Sequence, residues 1–215
     1  MTPTQIEDAA RRKYNSVGDS FWSSDEILGL LYEACLELAV ECELIEAKDA
    51  TTSTVASTKA YSFPTRFIAI KRMEYNGQKL FKISDRDADA INLFNSAVTP
   101  SGTPQHYWVW NEQFYLEPTP DGVGTLTVYG YKEPAAITAQ STLEIPSLFH
   151  FDCVNYIVSE MCAKDENLST AQYYMGKWMA AKAKAKRWKQ KRKRTDSFAH
   201  VIDEGSTPVS LIGGG

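Results

Sequence analysis

The stretch FPTRFIAIKRMEYNGQKL, residues 63–80, decides the fold class, because the spacing of apolar side chains changes there from helical to strand-like. Residues 65–75 have the composition and alternation of a strand, and Asn76-Gly77 is a strong signal for a tight hairpin turn. Residues 78–83 then supply the returning strand. An antiparallel hairpin is therefore predicted near the middle of the chain.

Downstream of this hairpin, three more stretches have the composition of strands. HYWVW (106–110) and QFYLE (113–117) are separated by only two residues, and TLTVYGY spans 125–131. Residues that favour turns, such as Pro and Gly, lie between these predicted strands. Residues 61–135 are therefore expected to form a β-rich insertion of about four to six antiparallel strands.

Two segments next to the predicted strands are predicted not to be strands themselves. DATTSTVASTK, residues 49–59, is rich in small polar residues and is interpreted as a linker. A short helix is predicted after the hairpin, capped near Ser84 and carrying three apolar residues, Ile91, Leu93 and Phe94.

Helical spacing of apolar residues dominates both ends of the chain. The second of the predicted helices has the most regular stripe, formed by Ile27, Leu28, Leu31, Cys35, Leu38, Cys42 and Ile45. The four helices are expected to begin near Pro3, Ser24, Pro146 and Ser169. Because the helical pairs flank the β-rich insertion, they are expected to pack together as one bundle.

The predicted fold is α+β and mainly α. One discontinuous helical bundle comprises residues 1–60 and 136–194, the antiparallel β subdomain is inserted at 61–135, and an extended, flexible C-terminal arm follows at 195–215. The small-residue content of this arm, which ends in three glycines, is typical of a segment that is ordered only by a partner.

Charge is strongly segregated along the chain. Ten Lys and Arg residues, with no acid among them, lie between Lys177 and Arg194, whereas the whole chain has 23 basic and 27 acidic residues and a net charge of −4. Without this basic run, 13 basic residues face 27 acidic ones, a net charge of −14. Such segregation favours a surface that meets a partner.

Three interpretations of the basic run stay open. It is a solvated helix end favoured by the helix dipole, a contact with an acidic partner subunit, or a contact with nucleic-acid phosphate. The candidate partner-binding residues, whether the partner is another protein, a neighbouring subunit or nucleic acid, are Lys182, Lys184, Lys186, Arg187, Lys189, Lys191, Arg192, Lys193, Arg194, Phe198, Val201 and Ile202.

Three glutamates, Glu33, Glu37 and Glu41, recur in steps of four along the second helix. Like charges at this spacing mildly destabilise an isolated helix. The stripe is interpreted either as a solvated face or as an acidic subunit-interface stripe that meets cations on a neighbouring copy.

The sequence favours no catalytic chemistry. There is no nucleophile elbow, phosphate-binding loop, metalloprotease motif or dinucleotide-binding fingerprint. The four cysteines are widely spaced and are predicted to be core thiols, and no zinc-type cluster is formed with the three histidines. No apolar stretch is long enough for a transmembrane helix, and the start of the chain has no signal-peptide pattern. We therefore expect no enzyme, no cofactor, no metal and no membrane contact.

The order of these features resembles a known family, the head–tail connector or portal adaptor proteins of tailed bacteriophages. The resemblance covers about residues 1–195 and rests on structural patterns rather than on a catalytic motif. The stretches that carry it are TQIEDAARRKYN (4–15), FWSSDEILGLLYEACLELA (21–39), FPTRFIAIKRMEYNGQKL (63–80) and GTPQHYWVWNEQFYLEPTPDGVGTLTVYGY (102–131). The basic helix and the tail after Thr195 are the least typical parts.

The resemblance implies a structural virion protein at the head–tail interface, made in the host cytoplasm. Such proteins form a ring, commonly of twelve copies, beneath the portal, bridge it to tail or nozzle proteins, and surround the DNA exit channel. The implied partners are therefore portal, tail proteins, further copies of the chain and, without sequence specificity, genomic double-stranded DNA. The alternative is a nucleic-acid-binding accessory protein that uses the basic C-terminal helix.

Overall fold

The computed structural model describes residues 1–18, 21–84, 86 and 100–203, with side chains described as far as Arg192. This part of the chain contains both predicted kinds of structure and confirms the α+β class. Its α-helices are α1 (Pro3–Tyr14), α2 (Ser24–Cys42), α3 (Cys153–Lys164) and α4 (Leu168–Asp203), with one 3-10 turn at Ser147–Phe149.

Capping boxes fix where the first two helices begin. Thr2 caps α1 together with Gln5, and Ser23 caps α2 together with Glu26. In the second box the Ser23 hydroxyl accepts a hydrogen bond from the Glu26 amide at 3.2 Å, while the Glu26 carboxylate accepts one from the Ser23 amide at 3.2 Å. Each box satisfies two backbone donors that the helix itself leaves unpaired. The helix thus begins at the predicted Ser24, with Ser23 as its cap.

Nine strands are present in the described residues. They are β1 (Glu46–Asp49), β2 (Ala60–Ser62), β3 (Phe67–Tyr75), β4 (Gln78–Lys82), β5 (Ser101–Gly102), β6 (His106–Trp110), β7 (Gln113–Glu117), β8 (Thr119–Pro120) and β9 (Leu126–Lys132). Seven of them form one sheet in the order β1-β9-β3-β4-β6-β7-β2, and β5 pairs with β8.

The predicted hairpin is confirmed, and the two strands HYWVW and QFYLE form a second one. Strands β3 and β4 pair antiparallel, with Tyr75 opposite Gln78 across the turn. Asn76 and Gly77 have φ angles of 49° and 81°, the pair of positive values that a tight two-residue hairpin turn requires. Strands β6 and β7 pair in the same way across Asn111 and Glu112, which also have positive φ.

The prediction of a purely antiparallel subdomain is wrong. Strand β4 pairs parallel with β6, with Phe81 opposite His106, and the small β5–β8 pair is also parallel. Parallel neighbours need a crossover connection of about a dozen residues or more, which residues 83–105 provide. The helix predicted there, with Ile91, Leu93 and Phe94, lies outside the described residues.

The predicted count of four to six strands is also too low. The two extra strands of the large sheet are its edges, β1 and β2, which flank the segment interpreted as a linker. Each is four residues or fewer, and β1 is defined by its partner β9, with Ala47 opposite Gly130. A strand this short has too few residues to show the alternation of apolar and polar side chains by which strands are recognised in a sequence. Its position is set by pairing with residues far away in the chain.

Two separate hydrophobic clusters hold the molecule together. The helical cluster joins all four helices and includes Ile6, Leu31, Phe149 and Trp178. The sheet cluster includes Met73, Phe114, Leu116 and Val128. Strand pairing begins at Glu46, earlier than the expected boundary at residue 60, so residues 46–49 lie in the sheet. The division into a bundle and an inserted subdomain stays a prediction.

Helix α4 continues to Asp203 instead of ending near Arg194. The first nine residues of the predicted flexible arm, 195–203, are therefore helical, and the rest of the arm lies outside the described residues. At about 1.5 Å per residue, the 36 residues of α4 extend roughly 54 Å. No helix among the described residues is both long enough and apolar enough to cross a membrane.

Candidate functional site

The candidate site is the basic run on α4, and one face of that helix belongs to the hydrophobic core. Trp178 and Ala185 are fully buried, and Ala181 lies on the same face. Two cations of the basic run, Lys182 and Lys189, are also buried, with 9% and 5% of their surfaces exposed. Buried ammonium groups need partners, because desolvation without compensation is costly.

The partners of Lys182 are two glutamates of the predicted acidic stripe. Its Nζ lies 2.9 Å from a carboxylate oxygen of Glu37 and 2.9 Å from one of Glu41. Lys186 contacts the other oxygen of Glu41 at 3.0 Å, and the Trp178 indole donates a hydrogen bond to Glu37 at 2.9 Å. The acidic face of α2 and the basic face of α4 are therefore bound to each other within one chain.

These contacts shift the pKa values of the groups involved. Hydrogen bonds from Lys182 and Lys186 lower the pKa of Glu41. Burial disfavours the charged form of Lys182, but hydrogen bonds to Glu41 and Glu37 outweigh it and raise the pKa of the lysine. Both shifts favour the charged forms, so the pairing persists throughout the neutral pH range.

Lys189 connects the basic helix to the sheet. Its Nζ forms an ion pair with Glu46 at the start of β1 and lies 4.7 Å from the centre of the Tyr131 ring on β9. The hydrogen bond from Lys189 lowers the pKa of Glu46. Lys189 therefore links α4 to the sheet, and its contact with a partner stays a prediction.

Glu33 has a different environment from the other two glutamates. It accepts a hydrogen bond from the Tyr156 hydroxyl at 3.1 Å. Glu160 on α3 lies close by, and burial together with the charges of Glu33 and Glu37 raises the pKa of Glu160. The N-terminal end of the stripe is thus a negative region, whereas its C-terminal end is neutralised by α4.

The remaining cations of the run whose side chains are described are exposed. Lys184 is half exposed and lies 3.5 Å from Asp152, while Arg187 and Lys191 are exposed. The Arg192 guanidinium lies 4.9 Å from the centre of the Trp188 ring. The backbone of α4 carries five more of the predicted residues, whose side chains lie outside the described part: Lys193, Arg194, Phe198, Val201 and Ile202.

The structure thus divides the candidate residues into two sets. Lys182, Lys186 and Lys189 are engaged with acids of α2 and β1, whereas the outward set, which includes Arg187, is exposed. Sequence reasoning did not foresee the intramolecular pairing, although a signal was present, because acids on α2 and cations on α4 both recur at helical spacing. Contact of the glutamate stripe with a neighbouring copy stays a prediction.

The site has the chemistry of a docking surface. It consists of ammonium, guanidinium and carboxylate groups on helices, which can form ion pairs and hydrogen bonds with a partner. Elsewhere in the described residues, no cluster of His, Cys, Asp and Glu has the arrangement to hold a metal ion. The four cysteines are buried free thiols, which confirms their prediction as core residues.

Comparison with known proteins identifies the family. A search of curated proteins returned no match. The family model described as SU10 adaptor protein matches residues 1–201, which includes both helical pairs, the sheet and most of the basic helix. The resemblance to phage head–tail connectors is therefore confirmed, and the chain belongs to the SU10 adaptor protein family, a family of phage head–tail adaptors.

Proposed function

We propose that this phage adaptor forms a ring beneath the portal of the filled capsid, joins the capsid to tail or nozzle proteins, and surrounds the DNA exit channel. The family match supports a structural role in the virion and contact with portal and tail proteins. The ring, its position under the portal and its twelve copies are parts of the proposal.

The observation that carries the proposal is the extension of α4 past the bundle. The last buried residue of α4 among its described side chains is Lys189, and the helix continues to Asp203. A helix that extends beyond its own core presents Arg187 and the segment that begins at Gln190 to another molecule. In a ring this contact is repeated in every copy, so modest contacts add up through avidity.

Contacts between neighbouring copies are proposed at the negative end of the stripe. Glu33 and Glu160 are close in space, and neither has an ion pair among the described residues. Like charges held together are stabilised by a cation from outside. A neighbouring copy has exposed cations to supply it.

The test is binding of variants to isolated portal rings, followed by electron microscopy. A chain that ends at Arg192 and carries Arg187→Glu keeps every described core residue of α4. We expect it to bind portal rings at least about tenfold more weakly than the full chain. A chain ending at Gly176 is unsuitable, because it also loses the fully buried Trp178 and Ala185.

The matched control is Lys79→Glu with Lys82→Glu, two exposed cations on β4. These changes lower the net charge by four without touching α4, and we expect normal portal binding. If the shortened Arg187→Glu chain binds as tightly as the full chain, docking through the end of α4 is wrong. If rings fail to form on the portal even with the full chain, the ring itself is wrong.

The nucleic-acid-binding alternative predicts a different result. Each phosphate contact steepens the fall of log affinity against log salt by about 0.9 for duplex DNA. Lys182, Lys186 and Lys189 already have carboxylate partners, so the helix has fewer cations for phosphate than its sequence suggests. Tight, steeply salt-dependent binding of a random duplex by the free protein favours this alternative.

A further inference from the structure

The sheet contains a basic groove beside the point where Lys189 of the basic helix pairs with Glu46. A concavity of about 440 Å³ lies over β1, β3 and β9. The residues that line this basic groove are Glu46, Ala47, Lys48, Lys71, Arg72, Tyr129 and Gly130. This volume is within the range of pockets that hold a ligand or a partner's side chain.

An irregularity in β3 places two cations side by side in the basic groove. Ile70 is opposite Gly130 and Arg72 is opposite Tyr129, so Lys71 is an extra residue in the pairing. In a regular strand, Lys71 and Arg72 would point to opposite faces, but a bulge redirects a side chain. Both side chains are exposed, whereas the flanking Ile70 and Met73 are buried in the sheet cluster.

Tyr129 forms the floor of the basic groove, with a cation on each side. The Lys48 ammonium lies 5.4 Å from the centre of the ring, and the Arg72 guanidinium lies 5.6 Å from it. The Tyr129 hydroxyl donates to Glu74 at 3.3 Å, which holds the ring in place. The Tyr129 ring offers apolar surface to a ligand, while the cations of Lys48 and Arg72 give the edges of the basic groove positive charge.

The acids around the basic groove are already neutralised. Glu46 is paired with Lys189, and Glu74 lies 2.5 Å from Arg72. By contrast, Lys48 and Lys71 form no ion pair with any described residue. The basic groove therefore has net positive charge and attracts a negatively charged ligand.

We infer that the basic groove binds an acidic segment of a partner protein, with carboxylates at Lys48 and Lys71 and an apolar side chain on the Tyr129 ring. An apolar floor between cations matches a peptide that combines both kinds of side chain. The phosphates of duplex DNA could pair with the cations of the basic groove, but DNA has no apolar side chain to pack on the Tyr129 ring. The site is on the sheet, so the inference does not depend on the proposed ring.

The test uses a fluorescent peptide with phenylalanine between two pairs of glutamates, titrated with the full-length protein. We expect binding that weakens with salt and that is lost when glutamines replace the glutamates. Lys48→Glu with Lys71→Glu should weaken binding at least about tenfold, because two attractive charges on different strands become repulsive. Lys48→Glu alone should weaken binding in the same direction.

The matched control is again Lys79→Glu with Lys82→Glu, which changes the charge equally but does not line the basic groove. Circular dichroism melting of each variant shows whether the fold is kept, and Lys48→Glu serves if the double variant unfolds. No binding by the wild type, an equal loss in the control, or preference for a random duplex over the peptide would each overturn the inference.

Discussion

The inward and outward faces of α4 have the same kind of residue and opposite environments. On the inward face, Lys182 lies between Glu37 and Glu41, beside the buried Trp178. On the outward face, Arg187 is exposed to solvent. A sequence run of ten cations is therefore two surfaces, of which one stabilises the chain and the other is available to a partner.

The largest effect should come from removing the apolar anchor of the inward face. Trp178→Ala leaves a cavity in the helical cluster and removes the donor to Glu37, so we expect a loss of about 3–5 kcal/mol in the free energy of unfolding. Urea unfolding followed by circular dichroism measures it. Met179→Ala is the control on the outward face, because Met179 is 55% exposed, and an equal loss there would contradict the division into faces.

A smaller effect is expected from the cations themselves. Lys182→Met keeps the length of the side chain but leaves Glu37 and Glu41 without their shared cation, at a cost of about 1–2 kcal/mol in the free energy of unfolding. Solvent screening limits this cost, since both glutamates are more than a third exposed. Arg187→Met on the outward face should change the free energy of unfolding by less than about 0.5 kcal/mol. Equal effects of the two substitutions would show that the ion pairs contribute nothing to stability.

The smallest effect is the pH dependence of the inward contacts. The pKa values of Glu41 and Glu46 are lowered by their lysine partners, so their stabilising contribution is present above the unfolded-state pKa of about 4.5. It is lost as pH falls through the lowered folded-state values. Between pH 5 and 3, the free energy of unfolding should therefore fall less in the chain with Glu41→Gln and Glu46→Gln than in the wild type. The difference between the two chains should be below about 1 kcal/mol per ion pair.

Glu144 provides an internal reference for that measurement. Burial raises its pKa, but hydrogen bonds from Arg66 and Lys132 outweigh this and lower it to about 2. Its contribution to acid sensitivity is the same in the wild type and in the glutamine variant, so it cancels in the difference. Identical acid unfolding curves for the two chains would contradict the role of Glu41 and Glu46.

Prediction from sequence succeeded where the signal is local. The turn at Asn76-Gly77 depends on the backbone preferences of two residues, and the cap of α2 depends on residues three positions apart. Both were predictable within one residue. The parallel pairing of β4 with β6 and the short edge strand β1 were not, because each depends on a partner many residues away.

The sequence by itself determined the class of the protein: helices at both ends, a β-rich middle, a basic helix and the order of elements that places the chain among phage adaptors. Only the tertiary structure decided which charges are available to a partner. Helical periodicity shows that acids and cations lie on faces, but burial and ion pairing depend on which faces meet. The packing of α2 against α4 uses Lys182 and Lys186, and the bulge in β3 gathers Lys71 and Arg72 into a groove that no sequence pattern indicated.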